Sequence, residues 1–554
     1  MSDRELPARP NLEQYKKQAK DLAKDSTSGV SDALARIRRH HPRFRKLSET
    51  DIPRAQITLT DAQLVIAREH GFESWPKFAN HIEMLHLIRS LASLDDPVAA
   101  FIEVACVPRH SWHASGTLEH AETILSRYPQ VATAGIHTAA ILADESAVRG
   151  FLSLDPKSAT ATGGPHGWDA LTHLCFSRYL RIDKARSDAF LRTARALLDA
   201  GASAKTGWYE MIDYPTPRPT FESAIYGASC IARHAELTRL LLERGADPND
   251  EETPYHVPEG RDNTVMKIML ESGKLNEVSL SWMLLRKADW HDEEGLHLVL
   301  EHGGDPNLMT HFQNNALHHA LRRDNSLRAI ELLLDHGADP QLKNSRDGRS
   351  AVAMAAHRGR GDVVALLEHR GVALALDGLD RLIAACAKAD RETIRRLVAD
   401  APHVAHDVAA QGGTFLAEFA GNGNVDGLRC LLDLGVSVSA PYEEGDPYFE
   451  IAKTSTALHV AAWRAYPAAV KALIERGARV NALDGKGRTA LQLAVKACVD
   501  SYWIGRRSPD SVATLLRAGA SVSGITVPTG YKEIDPLLRQ YGAPEATKRG
   551  SSLS

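Results

Sequence analysis

Asn315-Ala-Leu-His-His-Ala320 followed by Leu333-Leu-Asp-His-Gly-Ala-Asp-Pro340 is the stretch whose reading decides the fold. The second run reads as a helix with a sharp stop. Gly337 suits the position just past a C-terminus, where the backbone turns left-handed and a Cβ is penalised. The same ending returns at Leu197 to Ala202, Leu241 to Ala246, Val299 to Gly304, Leu431 to Val436, Leu473 to Ala478 and Leu515 to Ala520. Asp247-Pro-Asn249 and Asp305-Pro-Asn307 then open turns that no helix can continue through. A second apolar stretch follows each stop, as in Asn315 to Ala320, Thr456 to Ala461 and Thr489 to Ala494, so the unit reads turn, helix, turn, helix.

From Gly303 to Gly337 and from Gly337 to Gly371 is 34 residues each. The intervals from Gly245 to Gly303 and from Gly371 to Gly435 are 58 and 64, and each is expected to hide a degenerate copy. The 42-residue intervals are expected to carry insertions, at Ala440 to Lys453 and Val499 to Pro509. One copy cannot fold alone, because fixing each residue costs about 1–2 kcal/mol while a buried Leu or Val returns only about 1.5–3 kcal/mol. Stability must belong to the stack.

These residues resemble the ankyrin repeat, with its Thr-Pro-Leu-His-x-Ala opening, Leu-Leu second helix, Gly-Ala-Asp-x-Asn turn and period of about 33. The fit is good over Asn315 to Pro340 and Asp484 to Ala494 and looser elsewhere. The resemblance implies an all-α fold, an ankyrin-type α-solenoid of stacked helix-turn-helix repeats, and a protein partner met by the concave face and the finger turns. It also places His318 and His459 at the motif's own structural histidine, which bonds neighbouring turns.

Residues 1–83 have a different texture and read as a small helical module. Leu12, Tyr15, Ala19 and Leu22 fall at helical spacing, Asp32 to Arg39 forms a second helix stopped near Pro42, and a third is expected from a capping box at Thr60 to Gln63 until Gly71. Phe72, Trp75 and Phe78 supply aromatic core. Leu6 to Leu22 and Leu59 to Phe78 resemble a short helical module found ahead of ankyrin repeats in bacterial proteins, which implies a bacterial source. The basic run Arg36 to Lys46 reads as a solvated helix face, since the module balances 15 Lys and Arg against 12 Asp and Glu. Residues 84–164 read as irregular helical pairs capping the array, 165–542 as the array, and 543–554 as a disordered tail.

With 554 residues the chain exceeds one hydrophobic core, and 44% hydrophobic with 25% charged residues makes it an ordinary folded protein. A net charge of -4 argues against a basic nucleic-acid binder. Six scattered cysteines without a Cys-x-x-Cys pair, and no apolar run suited to a signal peptide or a membrane span, predict a monomeric cytoplasmic protein.

The common catalytic signatures are missing from the sequence, and no cofactor is implied. Histidine, tryptophan and charge instead concentrate in three segments. Gly163 to Trp168 leads to His173, Arg178 and Tyr179; Asp250 to His256 includes Tyr255; Arg286 to Asp292 includes Lys287, Trp290 and His291. His319, Arg322 and Arg323 follow one repeat later. Arg286 and Lys287 fall where a first helix normally packs alanine, and burying a lone charge is expensive, so they either face a groove or pair with Asp289 and Asp292. Aromatic and arginine anchors make Trp168, His173, Arg178, Tyr179, Tyr255, His256, Arg286, Lys287, Trp290, His291, Asp292, His319, Arg322 and Arg323 the candidate partner-binding set. The rival reading is an enzyme or a small-ligand protein built on Trp168, His256, Trp290 and His291. A metal site from His256, His291 and either Asp292 or His319 has acceptable ligand types but no diagnostic spacing.

Overall fold

The computed structural model describes residues 6–7, 10–44, 57–79, 81–82, 96–109, 112–212, 217–501 and 503–545. The expected tail beyond 545 and the end of the basic run at 45–46 lie outside the described residues. The chain is mostly helical and divides into two compact units, 1–257 with 262–275 and 258–261 with 276–554.

The first unit opens on three helices, Leu12–Thr27, Ser31–His40 and Leu59–Glu69. Asn11 caps the first by accepting the amide of Glu13 at 2.9 Å. The third begins two residues earlier than the Thr60 reading, because Thr58 Oγ1 accepts the Asp61 amide at 3.1 Å while Asp61 accepts the Thr58 amide at 2.9 Å. Tyr15, Leu22, Ile37, Val65, Ile66 and Phe78 close one apolar cluster. Arg36 leaves the basic run to form a two-pronged pair with the buried Glu69, at 2.7 and 3.0 Å.

Helical pairs follow in the same unit. Ile136–Ile141 with Glu145–Leu154 packs on Ala170–Cys175 with Ser187–Asp199, and Ala235–Glu243 and Thr264–Glu271 extend the row of second helices. A hairpin of Gly207–Ile212 and Arg218–Ser223, pairing Trp208 with Glu222 and Glu210 with Thr220, interrupts the otherwise helical array.

In the second unit, first helices stack on first helices: Glu277–Asp289, Ala316–Arg322, Ala351–His357 and Gly378–Ala387, then Gly412–Gly421, Ala457–Trp463 and Ala490–Val499. The long interval after Gly371 does contain an extra pair, Gly378–Ala387 with Arg391–Asp400, as well as a further helix, Pro402–Ala410. The repeating glycines all sit in the left-handed region, for example Gly303 at φ 90° and Gly337 at φ 85°. Where an asparagine follows such a stop it ties one turn to the next: Asn307 Oδ1 accepts the Asp339 amide at 2.7 Å, and its Nδ2 donates to the Gly337 carbonyl at 2.8 Å. His318 links turns similarly, from Asn315 Oδ1 at 2.7 Å to the Arg349 carbonyl at 3.1 Å, and His459 reaches the Ala482 carbonyl at 3.0 Å.

Neighbouring pairs approach closely enough for one methyl group to matter. A Cβ on Gly361 would lie 2.0 Å from the Ala387 carbonyl oxygen, a backbone atom that cannot swing aside. Gly361→Ala is therefore expected to destabilise the second unit by about 1–3 kcal/mol, read as a lower midpoint in urea unfolding.

Candidate partner-binding cleft

In the first unit, Trp168 and His173 are interior groups. The turn that delivers Trp168 closes through the Gly163 amide and the Trp168 carbonyl at 2.9 Å. Its ring lies 4.5 Å from His166, 5.3 Å from His173 and 5.1 Å from Trp208. His173 is fully buried, donates from Nδ1 to the Asp169 carbonyl at 2.9 Å, and is pushed down to about 3 by burial, so it is neutral. Arg178 donates to the Val104 carbonyl at 2.9 Å and Tyr179 to Glu122 at 2.7 Å. These polar ends are used in joining helices.

Tyr255 and His256 border a group that the sequence reading did not assemble. His256 pairs with Glu252 at 3.1 Å and stands 5.7 Å from the Tyr226 ring. Across Tyr226, His113 meets the tyrosine hydroxyl at 3.2 Å and Glu210 at 2.9 Å. Glu222, 1% exposed, is pushed up to about 9 by burial and then by the charges of Glu252, Glu210 and Asp250. Asp250 is pushed up to about 6, chiefly by burial.

The second unit takes the pairing alternative for its out-of-place cations. Lys287, with no exposed surface, is held by Asp292 at 2.8 Å and the Gly260 carbonyl at 3.1 Å. Arg286 spans Asp289 at 2.7 Å and Glu259 at 2.8 Å. Asp289 also receives His319 at 2.9 Å and Arg323 at 2.6 Å, which together hold its carboxyl well below the usual range against the effect of burial. His291 has φ 49°, and burial pushes it down to about 4. Trp290 beside it is 43% exposed.

The network continues along the C-terminal ends of the stacked first helices. Asp324 is shared by Arg358 at 2.7 Å and Arg464 at 2.8 Å, and Arg358 reaches Glu418 at 3.1 Å. The insertion expected at Ala440 to Lys453 folds back over these groups. Tyr442 donates to Glu418 at 2.7 Å, and Tyr448 donates to the Asp289 carbonyl at 3.0 Å across 159 residues of sequence. Arg323 lies 3.5 Å from the centre of the Tyr448 ring and Arg464 3.8 Å from that of Phe449. Phe449 packs with Trp463 and Trp503, the latter from the second expected insertion.

Between this insertion and the repeats lies a cleft of about 620 Å³. Its floor is first-helix residues such as Arg322, Met354 and Phe415; one wall is the turns at Asn314 and 344–349; the other is 440–447 of the insertion. Turns, first helices and insertion thus converge on one opening, which is geometry for binding. His256 belongs to the first unit and His291, Asp292 and His319 to the second, and no three His, Cys, Asp or Glu side chains are grouped to hold a metal ion among the described residues. No helix among them is long and apolar enough to cross a membrane.

A family model matches part of this array. The family described as ankyrin repeats (3 copies) matches residues 284–376 and 382–484. Among solved structures, the human ASB11 ankyrin repeat domain is similar at 23% identity, covering 43% of this chain and 98% of that one, with a TM-score of 0.21. No curated protein matches the chain.

Proposed function

We propose, starting from ankyrin repeats at 284–376 and 382–484, that this protein is an interaction scaffold whose second unit grips a protein partner. Ankyrin repeats are generally protein-interaction modules, and the assignment here is carried by one observation. The cleft gathers the turns, the first helices and the insertion on the surface that such arrays present. Within the candidate set, Trp290 and Arg322 keep side-chain surface for a partner, whereas Lys287, His319 and Asp292 are spent inside the fold. The other candidates act as supports for that surface or for the first unit. Acidic Glu443, Glu444 and Asp446 on the lip favour a protein over a nucleic acid. All six cysteines are free thiols, which fits a reducing compartment, and we place the protein as a monomer in the cytoplasm.

A photo-reactive phenylalanine analogue tests this reading. Placed at the exposed Phe312, on the turn two residues before the cleft's Asn314, or at the exposed Glu444 of the full chain, it is expected to give one discrete protein adduct in cell extract. At the exposed Lys471, on a second helix, it is expected to give none. The same adducts from all three positions, or none from Phe312 and Glu444, would contradict a cleft-based interaction.

A further inference from the structure

Four guanidinium groups border the cleft, and two of them are already spent: Arg349 on Asp347 at 3.2 Å, and Arg358 on Asp324 and Glu418. Arg322 and Arg346 make no ion pair with a carboxylate among the described residues. Arg322 is only half exposed, and after burial the charges that act on it most are those of Arg346, Arg323 and Arg358, all repulsive; Asp446 opposes them more weakly. Two guanidinium groups that border one cavity and are bonded to no carboxylate among the described residues leave their donor forks open. The opposite wall carries Glu443, Glu444 and Asp446, which would repel an extended polyanion but leave room for one anionic group with neutral or cationic neighbours.

We infer that the cleft is a receptor for a single phosphate-class oxyanion, held by Arg322 and Arg346 on the repeat side and faced by the acidic wall of the insertion. Guanidinium forks match phosphate oxygens, and one dianion can pair with both. The inference rests on the partner-binding reading only where a phosphorylated side chain of a protein is the source; a free phosphate-bearing small molecule has the same chemistry.

Calorimetric titration of the purified full chain tests it, with two probes: inorganic phosphate, and phosphoserine blocked at both ends. Saturable one-to-one binding is expected, weakened about tenfold or more by Arg322→Gln and by Arg346→Gln. Arg328→Gln, on an exposed helix position, should leave it unchanged. Arg346 is exposed and unpaired, so its variant should melt as the wild type does. Blocked phosphoserine binding at least as tightly as phosphate assigns a protein side chain as the source; binding of phosphate alone assigns a small molecule, and both uphold the site. No saturable heat with either probe, or wild-type affinity in both arginine variants, overturns it. Photo-adducts without phosphate binding would sink the oxyanion site and spare the scaffold; phosphate binding without adducts would do the reverse.

Discussion

Asp324→Ala is expected to cost the second unit about 3–5 kcal/mol, because it strands the buried Arg464 and leaves Arg358 with Glu418 alone. The side chains of Asp324 and Arg464 are 2% and 3% exposed, and Arg358 shares the same carboxylate. Alanine also inherits φ 52°, a conformation that Asp and Asn tolerate better. Asp324→Asn should therefore cost less, since it keeps the backbone preference and one accepting oxygen. The acid limb checks the cause. Arg358 and Arg464 hold Asp324 down to about 2 in the fold, against an ordinary 3.8. A depressed carboxylate stabilises above its unfolded value, and that stability drains away as pH falls from about 4 towards 2. Urea midpoints of the wild type should fall across that window, and those of Asp324→Ala should fall less steeply. Equal slopes would mean that the ion pairs do not carry the effect.

Glu222→Gln is expected to act in the opposite direction and stabilise the first unit by up to roughly 3 kcal/mol at pH 7. Glu222 must hold its proton to about 9 in the fold, against an ordinary 4.5. Between those values the folded state binds more protons than the unfolded state, so stability falls as pH rises through the window. Glutamine has the same shape and needs no proton. Slower hydrogen exchange of the 207–223 hairpin at pH 7, with a flatter pH dependence from 5 to 9, is the predicted outcome. An unchanged pH profile would show that Glu222 does not govern it.

The repeating part of the fold was legible because its signals are local. Glycines at φ near 90°, turn asparagines and the motif histidines each do in the structure what their short sequence neighbourhood implies. The two insertions were also readable, as excess length. What the sequence could not show was where that extra length goes. Tyr448 meets Asp289 and Arg464 meets Asp324 across 159 and 140 residues, and no period records contacts that skip repeats. Arg286 and Lys287 were recognisable as charges needing partners, and Asp289 and Asp292, named for them, are among those they have, whereas Glu259 on Arg286 lies outside the local sequence. The acid group around Glu222 stayed hidden because it depends on a hairpin inserted into helical text. The alternation through Trp208, Glu210 and Ile212 was its local trace.

The insertion is the element on which the cleft depends, since it supplies one entire wall. Native-state hydrogen exchange of the free chain measures directly whether that wall is folded. The amides of Asp446, Ile451 and Thr454 are bonded to the carbonyls of Ile451, Asp446 and Tyr442 at 3.0, 2.8 and 2.9 Å. They should exchange as slowly as those of the stacked first helices beneath them. Exchange of all three at the rate of an unstructured loop, while the helices stay protected, would remove the wall and with it the binding site.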